Sequence, residues 1–402
     1  MTARPFSEPS LARMHDALAG HIERGELPGL VAVVSRHGET HVDALGTMKA
    51  GGGEPIRRDT IFRISSMSKP ITAAATMILV DEGTLRLDEP VDRLIPELAN
   101  RRVLRQIDGP LDDTVPAKRP ITVRDLLTFT LGFGAVFADP DAAPILKAAN
   151  DLQIGMGPPA PSTTPPPDEW IRRLGTLPLM HHPGELWMYN TGADVLSVLL
   201  ARASEKPLET FLRERLFEPL GMKDTAFHVP AAKMGRFGPT YWTNYMTGKE
   251  EVYDEAAGGQ WSRPPAFPSG AGGLVSTADD YVAFAQMLVN HGMHGNRRIL
   301  SQRWVEVMTK DQLTPGQKGA ELVPGYWDKH GWGFGMSVLT RPDEFASTPG
   351  RYGWDGGMGT SWFNDPTEGL VAILMTPRMW SSPSPPDVCR TFWASAYRAI
   401  ED

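Results

Sequence analysis

The chain has 402 residues, a formal net charge of −8 from 48 acidic against 40 basic side chains, and a single cysteine, Cys389. The length leaves room for a large core and two or three lobes, and an acidic balance with no long run of one sign argues against nucleic-acid binding. One cysteine excludes an internal disulfide and any cysteine-rich metal site, while 40 glycines and 36 prolines predict long irregular connections between elements.

The N-terminus, Met1 to Phe6, leads straight into an amphipathic segment, Leu11 to Ile22, without the continuous apolar core of a secretory signal. No later stretch reaches the length of a membrane span, so a cytoplasmic protein with no membrane partner is the expectation. Gly29 to Arg36 reads as a strand, His37-Gly38-Glu39 as a turn, and Thr40 to Leu45 as the hairpin partner. Thr60 to Ile64 is another short strand, which delivers the chain to Ser66-Met67-Ser68-Lys69 and the very apolar segment Ile71 to Val80. Helical spacing follows near Val123 to Thr130, Asp168 to Leu174, Ala193 to Ala203 and Pro207 to Phe217. Between the first two lies Phe137 to Pro167, with Pro140, Pro144, Pro158, Pro159, Pro161 and Pro165-Pro166-Pro167. That stretch is either a linker between domains or one wall of a binding cleft.

From Ser276, read as a helix cap, Thr277 to Asn290 is a helix; strands follow at Gly333 to Val338, Thr360 to Asn364 and Leu370 to Met375, and Pro386 to Ile400 is helical. Strands at both ends with helices between them imply an α/β (α+β) fold: one antiparallel sheet built from both termini and flanked by helices, with a mainly helical domain inserted. The expected division is 1–85 with 270–402 for the sheet domain and 86–269 for the insertion. An active site then falls between the two lobes.

Residues three apart on a helix share a face, so the Ser66 hydroxyl and the Lys69 amine can meet. A serine hydroxyl is a weak nucleophile until a base takes its proton, and a lysine serves as that base only where burial or neighbouring cations lower its pKa. A helix carrying Ile71, Ala73, Ala74, Ala75, Met77, Ile78, Leu79 and Val80 is apolar nearly all round and should run through the interior, which suits a desolvated lysine. Serine and lysine are common, and most pairs at this spacing are solvated helix surface.

Longer segments carry a resemblance. Phe62-Arg63-Ile64-Ser65-Ser66-Met67-Ser68-Lys69-Pro70-Ile71-Thr72, Ile121 to Thr130, Pro219 to Thr225 and Gly270 to Thr277 resemble, in that order, the nucleophile helix, structural helix and two further signatures of the serine β-lactamase and penicillin-binding-protein superfamily. Within it the chain is most similar to the class C β-lactamase branch and its esterase relatives, the family VIII carboxylesterases, over roughly residues 10 to 400. The resemblance implies Ser66 as nucleophile, Lys69 as its partner, and a catalytic tyrosine after a proline-glycine turn and an aromatic residue, which Pro183-Gly184-Glu185-Leu186-Trp187-Met188-Tyr189 supplies at Tyr189. A phenol, with a reference pKa of ~10, can exchange protons with Ser66 and the leaving group if Lys69 stabilises its ionised form. Whether Tyr189 or Lys69 takes the first proton stays open on the residues alone.

The chain also departs from the β-lactamases. Their tyrosine is followed by a short residue and then an asparagine, whereas here Tyr189-Asn190-Thr191 puts Asn190 one place early. Where their closing strand carries a lysine-threonine-glycine triplet for the substrate carboxylate, this chain has Trp354-Asp355-Gly356 and no cation. Esterase relatives show a tryptophan there, so the resemblance implies an ester-binding strand at Trp354, Asp355 and Gly356. It also implies an oxyanion hole from the backbone N–H groups of Ser66 and Gly357, with Gly356 and Gly357 permitting close backbone approach; losing one such donor costs ~10²- to 10³-fold in rate.

His181-His182 has no third ligand at metal spacing, and no glycine-x-serine-x-glycine elbow is present. Trp242, Tyr245, Tyr253 and Trp261 either line a substrate pocket or pack the core. The expectation is a serine hydrolase acting on a small-molecule carboxylic ester of short acyl chain through an acyl-enzyme, with no metal or organic cofactor. A β-lactamase or D-amino-acid peptidase, an acyltransferase, and a non-catalytic binding protein on the same fold are the competing readings. The oligomeric state is not legible in the sequence.

Overall fold

Hydrophobic patterning at the two ends of the chain organises the structure, a computed structural model that describes residues 6–136, 143–155, 157–244, 246–319, 321–346 and 348–400. Strand β1 (Gly29–Arg36) is buried along nearly its whole length, as a run of aliphatic residues covered on both faces must be, and its hairpin partner β2 (Glu39–Gly46) forms one edge. The other strands of the main sheet come from the far end of the sequence: β3 (His330–Trp332), β4 (Ser337–Leu339), β5 (Tyr352–Gly356), β6 (Thr360–Asp365) and β7 (Leu370–Met375). The sheet is antiparallel throughout, in the order β3-β4-β5-β6-β7-β1-β2, with Val33 opposite Ile373 on one side and Val42 on the other.

Helix α1 (Glu8–Glu23) and the C-terminal helix (Asp387–Arg398) cover one face, where Met14, Leu18, Ala32, Val34, Leu374 and Phe392 form a core. On the other face Val31, Val33, Trp362 and Ile373 join a larger core with helix α2 (Ser68–Asp81). Every residue of α2 from Ser68 to Val80 is buried, as its all-round apolar composition requires. Helix α3 (Thr191–Ser204) packs beside α2, and helix α4 (Ala278–Val289) covers the inner face of the sheet beneath β7. Among the described residues no helix is long and apolar enough to cross a membrane.

Several elements differ from the sequence expectation. The cap of α4 is Thr277, whose side chain accepts from the Asp280 N–H at 3.3 Å, because Ser276 is used in a two-residue strand opposite Phe62 and bonds Thr225 at 2.8 Å. Of the expected strand Gly333 to Val338 only Ser337 and Val338 are strand, as the start of β4; residues 333–336 turn the chain from β3, where Gly335 takes φ +71° and lies so close to α2 that a Cβ there would stand 2.9 Å from the Lys69 carbonyl. The strand at Thr60 to Ile64 narrows to Phe62–Arg63, and the helix at Val123 stops at Leu127. Within the proline-rich stretch a short helix, Pro144–Asp151, forms; Phe137 and Pro140 lie outside the described residues, as do Met1 to Pro5 and Tyr245.

Candidate active site

The chain reaches Ser66 through two constraints. Ser65 adopts φ 45°, a left-handed conformation that is costly for a side-chain-bearing residue and found mostly where the surroundings enforce it. Ile64 is held on both sides, its N–H donating to Leu274 O at 3.0 Å and its carbonyl accepting from Thr360 Oγ1 at 3.1 Å. A 3₁₀ turn, Ser65–Met67, then opens α2, and the Tyr281 hydroxyl donates to Met67 O at 3.0 Å. Ser66 is half-buried at the bottom of a cleft while Lys69, one turn on, is 1% exposed.

Lys69 Nζ donates to Ser66 Oγ at 2.9 Å and to the Ala271 carbonyl at 2.7 Å. Burial pushes its amine down to about 7, a shift that the buried Asp194 carboxylate partly offsets. Tyr189 faces the same serine: its phenol hydrogen-bonds Ser66, its ring centroid is 4.6 Å from Lys69 Nζ, and its hydroxyl accepts from Trp354 Nε1–H at 2.8 Å. Burial drives the phenol well above its ordinary value, and the bonds to Ser66 and Trp354 offset only part of that. The Ser66 and Lys69 pair and a tyrosine more than a hundred residues further along the chain are thus brought together.

Tyr189 is placed by backbone contacts on both sides. Met188 N–H donates to Phe129 O and Ala135 N–H to Tyr189 O, each at 2.8 Å, and Gly134 leaves only 2.7 Å between a would-be Cβ and the Tyr189 carbonyl. Asn190 turns the chain with φ 82° into α3, so the asparagine that stands one place early still lines the cavity. Behind the phenol is an aromatic wall: Trp332 packs on Trp354 at 4.7 Å between centroids and on Trp187 at 5.3 Å, and Phe129 on Trp332 at 5.1 Å.

Strand β5 brings Trp354 and Gly356 to the inner face. A Cβ on Gly356 would sit 2.2 Å from the Ile64 carbonyl, so this glycine is sterically required where the strand meets the nucleophile segment. Gly357 differs from expectation on that point: a Cβ there would meet open space, because the residue lies past the end of the strand and is exposed, although it lines the cavity with Ser66. Asp355 alternates to the opposite face, paired across the strands with Ser361. Its carboxyl borders the cavity yet is surrounded by protein, and burial pushes it up to about 7 against the pull of Ser361 and Arg351.

The cavity above Ser66 holds about 970 Å³, and its walls include Pro158, Pro159, Tyr189, Trp242, Tyr253 and Trp354. The proline-rich stretch is therefore a cavity wall at Gly157–Pro159, tied down by the Tyr253 hydroxyl, which donates to Pro159 O at 2.9 Å. Trp242 and Tyr253 face the cavity, whereas Trp261 is fully buried, donates to Gly273 O at 2.9 Å and stacks under the Arg63 guanidinium. His182 accepts from the Lys118 N–H in a surface loop, and no group of three metal-ligating side chains occurs among the described residues.

Sequence reasoning missed a buried ion pair and a buried carboxylate. Arg63 pairs with Asp254 at 2.5 Å, both sealed from solvent, and fixes the strand that leads into Ser66 against the 240–254 hairpin. Asp194, on α3, accepts from Ser269 Oγ at 2.6 Å and from the Ala271 N–H, and burial pushes its carboxyl up. For Arg63 and Asp194 the signal was a charge set among apolar neighbours, Phe62 and Ile64 in one case and Ala193, Val195 and Leu196 in the other.

A serine with a buried lysine one turn later and a tyrosine across the cleft, beside an antiparallel sheet built from both ends of the chain, is an arrangement that fits the serine β-lactamase and penicillin-binding-protein superfamily. The Beta-lactamase family matches residues 14–388, and the chain belongs to it, among serine hydrolases and acyltransferases of the β-lactamase fold. The chain is 31% identical to "Esterase EstB" of Burkholderia gladioli, covering 96% of this chain and 95% of the relative. It is 27% identical to "Acyltransferase calJ" of Penicillium decumbens, over 78% and 74% of the two chains. Among solved structures, "EstCE1, a hydrolase with promiscuous acyltransferase activity" superposes with a TM-score of 0.78 at 24% identity, over 97% of this chain and 99% of that one.

Proposed function

We propose that the protein is a carboxylesterase that cleaves esters of short carboxylic acids through a Ser66 acyl-enzyme. The observation that carries the reading is the 2.9 Å contact between Lys69 Nζ and Ser66 Oγ, made by an amine whose pKa burial lowers to about 7. Ser66 Oγ attacks the ester carbonyl while Lys69 takes its proton, and the backbone N–H groups of Ser66 and Gly357 stabilise the charge on the carbonyl oxygen. Tyr189, its hydroxyl oxygen occupied by the Trp354 indole, keeps its proton to donate: the leaving alkoxide receives it, and Lys69 returns the serine's proton to the phenol. Water then adds to the acyl carbonyl, gives one proton to the same pair, and releases the acid as Ser66 is reprotonated.

Trp354 stands where the lactam-recognising relatives carry a cation, and its indole is committed to Tyr189, which supports ester over anionic lactam substrates. Acyl transfer is the second reading, favoured by one observation: a cavity of about 970 Å³ is at the upper end for small-molecule sites, with room for an acceptor alcohol beside a short acyl chain.

The deciding experiment is hydrolysis of p-nitrophenyl butyrate by the native protein and by Ser66→Ala, with nitrocefin and an added alcohol run in parallel. Ester hydrolysis lost in the variant, with no nitrocefin turnover, is expected; full activity in Ser66→Ala removes this serine from the mechanism. An ester product formed from the added alcohol identifies an acyltransferase.

A further inference from the structure

Resting on the reading of Ser66 and Lys69 just given, we infer that Asp194 is a positioning residue of the acylation step, the counter-charge that lets Lys69 hold the proton it takes from Ser66.

The geometry is a closed circuit. Asp194 lies on α3, in the turn after the chain leaves Tyr189, and its carboxylate accepts from Ser269 Oγ at 2.6 Å and from the Ala271 N–H. The carbonyl of that same Ala271 accepts from Lys69 Nζ at 2.7 Å. One short segment, 269–271, therefore clamps the acid and the amine together, reinforced by Ser197 Oγ, which accepts from the Gly270 N–H at 2.7 Å. Gly270 has no room for a side chain, since a Cβ would stand 2.6 Å from Thr72 Oγ1 and 2.8 Å from Ser197 Oγ. Asp194 also lines, with Ser66, Asn190 and Pro159, a second cavity of about 220 Å³, and is itself only 7% exposed.

A carboxylate in this place answers a conflict in the demands on Lys69. The lysine must be neutral to accept the Ser66 proton, and burial favours that form. Once it has the proton it is an ammonium ion in a dry site, where an unpaired charge is strongly disfavoured. Asp194 supplies the opposite charge from a fixed position, so the ion formed during attack is stabilised in the transition state more than in the resting state. The other groups facing Lys69 are Ser66, on its own segment, and the Tyr189 ring, whose hydroxyl points to Ser66 and Trp354; Asp355, from β5, acts on Tyr189.

The test is the pH profile of kcat/KM for p-nitrophenyl butyrate in Asp194→Asn, Asp194→Ser and Asp194→Glu. With the charge removed, Lys69 holds its proton less well, so the acid limb of the profile moves at least one pH unit lower and kcat falls by about 10²-fold, the scale of a general-base contribution. Asp194→Glu restores most of kcat and returns the limb toward its original position. A limb unmoved in whichever uncharged variant folds overturns the inference, and so does failure of both uncharged variants to fold while the glutamate variant folds, which would make the residue purely structural. These outcomes are separable from failure of the esterase reading, because that reading falls only if Ser66→Ala stays active, whereas this one falls with Ser66→Ala inactive and the limb fixed.

Discussion

Replacing Trp354 by Phe isolates one proton-handling contact. The phenyl ring retains the packing on Trp332 and Tyr189, whose centroids lie 4.7 and 5.7 Å away, but deletes the Nε1–H that donates to the Tyr189 hydroxyl at 2.8 Å. A neutral hydrogen bond of this kind contributes ~0.5–1.5 kcal/mol net, equivalent to about 2- to 12-fold in a rate constant. The deleted bond also opposes the upward shift of the phenol, so its loss leaves Tyr189 a still weaker acid. The consequence depends on the leaving group. An alkyl ester such as ethyl butyrate expels a basic alkoxide that needs the Tyr189 proton, and its kcat should fall by that factor. The p-nitrophenyl ester expels a stable phenolate, and its kcat should change less than about 2-fold. Both are measured on the same preparation, with a thermal melt to confirm that the aromatic wall survives. An equal decrease for the two esters, or none for the alkyl ester, refutes the assignment of Tyr189 as proton donor to the leaving group.

Arg63→Met leaves Asp254 buried without its partner and should lower stability to urea by ~3–5 kcal/mol, while the double variant Arg63→Met/Asp254→Leu regains much of it. Gly356→Ala forces a Cβ against the Ile64 carbonyl and should reduce kcat sharply through displacement of the nucleophile segment. Gly357→Ala meets open space and should fold with an unchanged melting temperature, so equal stability loss in the two alanine variants contradicts the packing described for β5. In the native enzyme kcat/KM should rise with pH through about 7, as Lys69 loses its proton, and fall away below it. A profile flat from pH 5 to 8 excludes Lys69 as the base.

The strands that were legible in the sequence are those whose residues choose the conformation themselves. Leu370 to Met375 and Gly29 to Arg36 match their observed bounds because an unbroken aliphatic run between polar turns has few alternatives. Tyr352–Gly356 was not legible from its own residues and entered, as Trp354 to Gly356, only through the resemblance: Tyr-Gly-Trp-Asp-Gly has two glycines and no alternation, and it is a strand because β6 and β4 hold it on either side. For the site, Ser66 with Lys69 could be argued from spacing and an apolar helix. Tyr189, Trp354 and Gly357 came from resemblance to a family, since nothing local links residues more than a hundred positions apart. Asp194 escaped both routes; its neighbours Ala193, Val195 and Leu196 make this part of the helix look like ordinary core, and only folding shows that its carboxylate acts on a lysine.

The order of strands also dictates a timetable. β1 lies between β2, its immediate successor, and β7, whose residues are the last of the sheet to leave the ribosome, so the early hairpin waits with one long apolar edge unmatched while more than three hundred further residues are made. Pairings between such distant segments form slowly, and open edges of this kind invite intermolecular association in the interval. Shortening the chain at its C-terminus by only the final strand and helix should therefore yield aggregated protein rather than a smaller folded one.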